Sequence, residues 1–203
     1  MTLRRIEAGA LGANAWVISD SGQCLVIDPG GEDAPLLEAS LGAGIQCTGV
    51  FLTHGHADHI AGLKPYIERE IPIYIGAEDC AALTDARVNL SVWLGIPLAF
   101  ADCPHRVLGD GGELTLGEIS FRVIAAPGHS PGSLCLYGGG HLFTGDVLFA
   151  GGGVGRTDFP GGDAARLALS IREKLFVLPD ETAVHPGHGG DTTIGAEKKY
   201  HFY

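Results

Sequence analysis

Residues 49–59 read Gly-Val-Phe-Leu-Thr-His-Gly-His-Ala-Asp-His, and no other stretch of the chain narrows the fold so far. The apolar run Gly49–Leu52 has the length and composition of a buried strand. It delivers the backbone straight into His54, His56, Asp58 and His59. Neutral imidazoles and carboxylates are good donors for zinc and related divalent metals. In an extended loop, side chains two apart point the same way, so His54 and His56 are able to share one ion. Asp58 and His59 lie beyond, on the turn into a helix, and reach toward a second. The competing reading is a polar surface loop.

Three later residues weigh against that competitor. Pro127-Gly128-His129, Thr144-Gly145-Asp146 and Pro186-Gly187-His188 each set a donor beside glycine. A glycine there lets the backbone approach a metal without a Cβ clash. Any one of the three, taken alone, reads as structural. With the first cluster they make seven donors, enough for a two-metal centre.

The rest of the chain alternates strands and helices. Ala15–Ile18 and Cys24–Ile27 flank a Ser21-Gly22 turn, as in a hairpin. Asp33 is placed to cap a short helix through about Leu41. A helix is expected from about Asp58 to Glu70, bent or broken by Pro65, and then a strand at Ile73–Ile75. In the second half, Glu113–Leu116 pairs with Phe121–Ile124, and Leu134–Tyr137 with His141–Thr144. A long helix from Asp163 carries Ala164, Leu167, Ala168, Ile171, Leu175 and Leu178 on one face. A last strand near Thr182–Val184 precedes a glycine-rich loop and a short helix. Strands then helices, twice over, predict an α/β (α+β) fold of two packed sheets covered by helices. No linker divides residues 1–203, which are read as one domain.

Composition excludes several functions. Only 13 Lys and Arg stand against 24 Asp and Glu, for a net charge of −11, so a nucleic-acid partner is disfavoured. No run approaches the ~20 apolar residues of a membrane span, and the N-terminus lacks the features of a signal peptide. Five cysteines, odd in number, widely spaced and without a C-x-x-C pair, argue against a disulfide framework and for a reducing, cytoplasmic setting.

Taken together, His54-Gly-His56-Ala-Asp58-His59, Pro127-Gly-His129, Thr144-Gly-Asp146 and Pro186-Gly-His188 resemble the metallo-β-lactamase fold superfamily. Within it the chain is similar to short glyoxalase II-like (hydroxyacylglutathione hydrolase-like) members. Ile27-Asp28-Pro29-Gly30 and Gly155-Arg156-Thr157-Asp158 also match. The resemblance implies a four-layer αββα sandwich. It implies His54, His56 and His129 on a first metal, Asp58, His59 and His188 on a second, and Asp146 bridging them. The expected cofactors are two divalent ions, zinc first and iron or manganese as alternatives. An Asp at the bridging position resembles thioester and lactone hydrolases, whereas the largest subgroup of zinc β-lactamases carries a Cys there. Larger glyoxalase II enzymes add a C-terminal helical domain that helps hold glutathione, and none is expected here.

These residues set out a chemistry. Two ions about 3.5–4 Å apart lower the pKa of a shared water, which attacks an acyl carbonyl while Asp58 orients it and shuttles its proton. A thiol of pKa about 8.5 leaves without a strong acid. The expected partner is therefore a small-molecule thioester such as a glutathione conjugate, with the oligomeric state left open. Arg156 is the candidate contact for a substrate carboxylate, with an ion pair to Asp158 as the alternative reading. Lys198 and Lys199 could add positive charge for such a substrate but read better as solvated lysines. Asp28 is either a support for a metal-bound His or a turn former. His105, His141, His185 and His201 read as ordinary histidines. The rival functions are a mono-iron persulfide dioxygenase using His54, His129 and Asp146, a lactonase, and a noncatalytic metal-binding scaffold.

Overall fold

The hairpin at the Ser21-Gly22 turn forms as its residues direct. Ser21 (φ 50°) and Gly22 (φ 80°) are both left-handed, the conformation whose twist matches that of the flanking strands. In the computed structural model, which describes residues 1–200, they join β2 (Ala13–Asp20) to β3 (Gln23–Ile27). These strands sit in a six-stranded sheet of order β1-β2-β3-β4-β5-β6. Its other members are β1 (Thr2–Ala8), β4 (Gln46–Phe51), β5 (Ile73–Gly76) and β6 (His105–Leu108). The second sheet runs β12-β11-β10-β9-β8-β7. It comprises β7 (Glu113–Leu116), β8 (Ile119–Ala125), β9 (Leu134–Gly138), β10 (His141–Gly145), β11 (Ala183–Pro186) and β12 (Thr192–Thr193).

Strand alternation sorts the apolar residues into three layers. Trp16, Ile18, Leu25 and Ile27 meet Phe121, Leu136 and Phe143 between the sheets. Ala15, Val17, Cys24 and Val26 face the other way, onto Leu36 of α1 (Ala34–Leu41), Ile60 of α2 (Ala57–Ile60) and Tyr66 of α3 (Lys64–Ile67). Cys135, Leu142 and Val184 pack on Leu167 of α4 (Ala164–Ser170) and on Ile194 of α5 (Ile194–Glu197). The order helix, sheet, sheet, helix is the four-layer sandwich that the sequence implies. All five cysteines are free. Among the described residues no helix is long and apolar enough to cross a membrane.

Three local expectations change. The helix over Asp58–Glu70 is two helices, and Pro65 is not the breaker. The Gly62 N–H turns out of the helix to donate to Pro29 O (2.7 Å), and Pro65 then sits in the first turn of α3, where its missing N–H costs nothing. The long helix from Asp163 begins as expected, with the Asp163 carboxylate accepting from Arg166 N. It is α-helical only to Ser170 and passes into a π turn over Ile171–Leu175, while Leu167, Ile171, Leu175 and Leu178 stay on the core face. Finally, β1, β6 and the two-residue β12 are strands that the reading above does not include. His201 lies outside the described residues.

Both sheets aim the same kind of end at one place. β3, β4 and β5 run parallel to one another. β8 and β10 both run antiparallel to β9, and β11 runs parallel to β10. The segments leaving the carboxyl ends of β3, β4, β8, β10 and β11 hold Asp28, His54 and His56 with Asp58 and His59 on α2, His129, Asp146 and His188. Hydrogen bonds across the sheets close this edge. Leu134 N donates to Thr53 O (2.7 Å) and Asn14 N to Gly187 O (2.7 Å). The Asn14 side-chain amide donates to Pro186 O (3.0 Å) and Gly189 O (2.9 Å).

Candidate metal centre

All seven predicted donors converge at this edge. The His129 Nε2 atom lies 3.2 Å from His54 Nε2 and 2.9 Å from His56 Nδ1. Asp58 Oδ2 lies 3.2 Å from His188 Nε2 and 3.7 Å from His59 Nε2. Asp146 stands between the two groups. Its Oδ1 is 3.4 Å from His59 Nε2, and its Oδ2 is 3.6 Å from His129 Nε2 and 3.7 Å from His188 Nε2.

Hydrogen bonds on the far side of each ring fix which nitrogens face inward. Asp28 accepts from Thr53 N (2.8 Å) and Thr53 Oγ1 (2.6 Å). With its one hydroxyl proton spent there, Thr53 Oγ1 can only accept from His54 Nδ1 (3.1 Å). His59 Nδ1 donates to Asp28 Oδ2 (2.9 Å), and His129 Nδ1 donates to the Arg156 carbonyl (2.7 Å). The Nε2 atoms of His54 and His129 are thus presented toward the cluster as lone pairs. Burial would lower the pKa of His59, but the charges of Asp146, Asp58 and Asp28 raise it well above the ordinary imidazole range, so its Nε2 faces two carboxylates where a positive charge is wanted. Asp28 therefore orients Thr53 and His59 through its carboxylate, while its left-handed backbone (φ 49°) also turns the chain out of β3.

This arrangement tests whether a metal fits. Two imidazole lone pairs 3.2 Å apart repel unless positive charge lies between them. Protonation is a poor source of that charge. Burial, with the neighbouring histidines, holds His54 well below the ordinary imidazole range and His56 at about 3. Four tetrahedral donors about 2.05 Å from zinc lie about 3.3 Å apart, close to the spacing seen. Among the described residues, three buried side-chain polar atoms lack a hydrogen-bond partner, and two are His59 Nε2 and Asp146 Oδ1, which face each other. Burial would push the carboxyls of Asp58 and Asp146 up. The His59 ring beside both and His188 hold them below the usual carboxylate range instead, so they stand ready as anionic donors. The residues present fit divalent metal ions.

Two glycines show why nothing larger is tolerated. A Cβ at Gly187 would run into Asp146 Oδ1 and the His59 ring, and one at Gly155 into Asp146 O and His129 Nδ1. Of the three glycines read from the sequence, Gly187 is such an approach to the cluster, whereas Gly128 (φ 141°) lies against Leu167 and Gly145 (φ 50°) against Thr53.

The model of the metallo-beta-lactamase superfamily matches residues 8–188, which include every one of these donors. This chain belongs to that superfamily. It is 39% identical over 202 residues to the probable metallo-hydrolase YqgX of Bacillus subtilis, covering 98% of this chain and 95% of that one. It is 36% identical over 204 residues to the hydroxyacylglutathione hydrolase GloC of Haemophilus influenzae, covering 98% and 96%. Among solved structures, the BLEG-1 B3 metallo-beta-lactamase superposes with a TM-score of 0.90 at 36% identity over 98% of this chain and 97% of that one. A di-iron-bound form of TTHA1623 superposes with a TM-score of 0.85 at 35% identity over 97% and 98%.

Five of the seven donors, His56, Asp58, His129, Asp146 and His188, line a cleft of about 320 Å³ with Leu11, Trp93, Leu94, Arg156 and Phe159. Arg156 reaches this rim, but its fork is taken by Asp158, with Nε–Oδ1 2.7 Å and Nη2–Oδ2 2.6 Å. Its guanidinium stacks 4.0 Å over the Phe159 ring. Lys198 pairs with Asp180. His185 points between the sheets onto Trp16 and Phe143 and meets His141 Nδ1 through its Nε2 (2.8 Å).

One supporting residue is invisible in the sequence. Asp79, buried on the turn Ala77–Leu83, accepts from Gly55 N (3.0 Å), Gly132 N (2.8 Å) and Ser130 Oγ (2.7 Å). It ties the loop of His54 and His56 to the loop of His129. Its partners lie 24 to 53 positions away, so no local motif marks it. The hydroxyls of Thr53 and Ser130 are structural partners, and Ser130 is no nucleophile.

Proposed function

We propose that this protein is a metal-dependent hydrolase that cleaves thioesters such as S-2-hydroxyacylglutathione at a two-metal centre. His54, His56 and His129 would hold one ion, Asp58, His59 and His188 the other, and Asp146 would touch both. The observation that carries the reading is the pair of inward lone pairs on His54 and His129, 3.2 Å apart in a buried site. Similarity to the hydroxyacylglutathione hydrolase GloC supports the substrate class, as does the acid at position 146.

When bound, the ions supply an activated water and a Lewis acid for the carbonyl oxygen. The protein supplies position and proton handling. Asp58 is part-exposed in the cleft, with its carboxyl held ionised by His59 and His188 against the effect of burial. It orients the attacking water and takes its proton as the new C–O bond forms. The C–S bond then breaks with its electron pair on sulfur, and a thiol of pKa about 8.5 leaves as thiolate without a strong acid. Arg156 serves through its carbonyl, which fixes His129. Its side chain is the one Arg or Lys lining the cleft, and so the candidate contact for a substrate carboxylate. Both members of its pair with Asp158 face solvent, where such pairs are weak, so a substrate carboxylate can replace that partner.

Parallel assays with a glutathione thioester and glutathione persulfide test this. The expected result is release of free thiol from the thioester with no oxygen consumed. Oxygen uptake with the persulfide, and an intact thioester, would replace this reading with a mono-iron dioxygenase.

A further inference from the structure

Large apolar side chains that the fold leaves in solvent gather beside the metal centre. Leu11, Val92, Trp93, Leu94 and Ile96 are all exposed, Trp93 by 71% and Ile96 by 73%. A contiguous apolar patch on a folded surface marks a binding site more often than an accident. Leu11, Leu90, Trp93 and Leu94 form one wall of the cleft that holds Asp58 and His188. Leu11 and Leu94 also line a second depression of about 140 Å³ with Ile96 and Leu98, and Ala57 and Asp58 belong to both. Apolar surface therefore runs without a break from the metal donors outward.

The wall is built, not loose. Asn89 is fully buried beneath it. Its amide donates to Ala82 O (2.8 Å) and Leu98 O (2.9 Å), and its side-chain oxygen accepts from Ser91 N (3.0 Å). Its carbonyl accepts from Ala57 N (2.9 Å), at the start of the helix that carries Asp58 and His59. Ser91 Oγ accepts from Leu98 N (2.8 Å). Leu90 is held at φ 68°, a left-handed conformation that a branched side chain adopts only where its surroundings impose it. Buried polar groups thus lock an apolar face in solvent, at a fixed distance from the reacting centre.

We propose that this trough is the subsite for the acyl half of the substrate, and that the favoured substrates carry an unbranched apolar acyl chain. The proposal rests on the hydrolase reading above. Its chemistry follows from the lining. Among the described residues of the two depressions, the only cationic side chain apart from the clustered histidines is Arg156, which stacks on Phe159 and lines the first depression but not the second. A charged acyl group would find no partner on the Leu11–Leu94 wall, whereas methylenes would cover it.

Straight-chain carboxylates from acetate to octanoate are product-like probes for the metal-loaded protein. Of the two tryptophans, Trp16 is buried and Trp93 exposed, so an emission change on binding reports the trough, and calorimetry gives Kd. Each added methylene is expected to tighten Kd about fourfold. In Leu94→Asp the increment should drop below about twofold, because a charge replaces apolar wall. Thioesters of one common thiol should follow the same order in kcat/KM. A Kd indifferent to chain length overturns the proposal, even if short thioesters are cleaved. A steep series without thioester cleavage keeps the trough and removes the hydrolase reading. Self-association that blue-shifts Trp93 emission, together with a flat series, makes the patch an interface between copies and also overturns the proposal.

Discussion

Asp146→Ala should bind one ion fewer per chain than the unaltered protein and lose thioester hydrolysis by about a thousandfold or more, roughly 4 kcal/mol of transition-state stabilisation. The loss is this large because one carboxylate faces both donor groups, with Oδ1 toward His59 and Oδ2 toward His129 and His188. No neighbour is placed to substitute for it. Asp58, the other carboxylate of the cluster, lies against His188 on the far side. Elemental analysis gives the stoichiometry, and circular dichroism separates metal loss from unfolding. A folded variant with two ions and unchanged activity would remove Asp146 from the bridging position.

Position 28 should separate metal affinity from fold stability. Asp28→Asn keeps an acceptor for Thr53 N and a residue type that tolerates φ 49°. It puts an amide where His59 Nδ1 and Thr53 Oγ1 now find a carboxylate oxygen. The His59 ring is then pressed into the wrong tautomer, and metal affinity should fall about 10- to 100-fold with the fold intact. Asp28→Ala leaves three buried donors unpaired and removes the short polar side chain that eases left-handed backbone at φ 49°. It should cost at least about 3 kcal/mol, or about 6–12 °C in Tm for a chain of this length. Chelator competition and thermal unfolding read the two effects. Equal metal affinity in Asp28→Asn and the wild type would show that Asp28 is only a turn former.

The cluster was legible because its members stand just past strand ends, four of them within His54–His59, and His129, Asp146 and His188 each directly after a glycine. The layers were legible because β2 and β3 are apolar on both faces, and α4 repeats its apolar residues at helical spacing. What escaped is either at an edge or nonlocal. β1 and β6 are outer strands with most side chains in solvent, so Arg4, Arg5 and His105 blur the alternation that marks an inner strand. The break between α2 and α3 comes from Gly62 reaching back to Pro29, a contact that helical periodicity cannot report. Asp79 looks like one acid among many until the fold brings Gly55, Ser130 and Gly132 to it. The Arg156 fork shows the reverse. The sequence offers both a substrate and Asp158 as partners, and only the folded loop, with Phe159 beneath the guanidinium, shows the pair that forms.

The central claim is that this edge holds two ions in separate donor sets that share Asp146. Anomalous diffraction from crystals of the metal-loaded protein tests it most directly. The expected result is two peaks per chain, one among His54 Nε2, His56 Nδ1 and His129 Nε2, the other among Asp58, His59 Nε2 and His188 Nε2, with Asp146 between them. A single peak among His54, His59 and Asp146, which also converge, would contradict it.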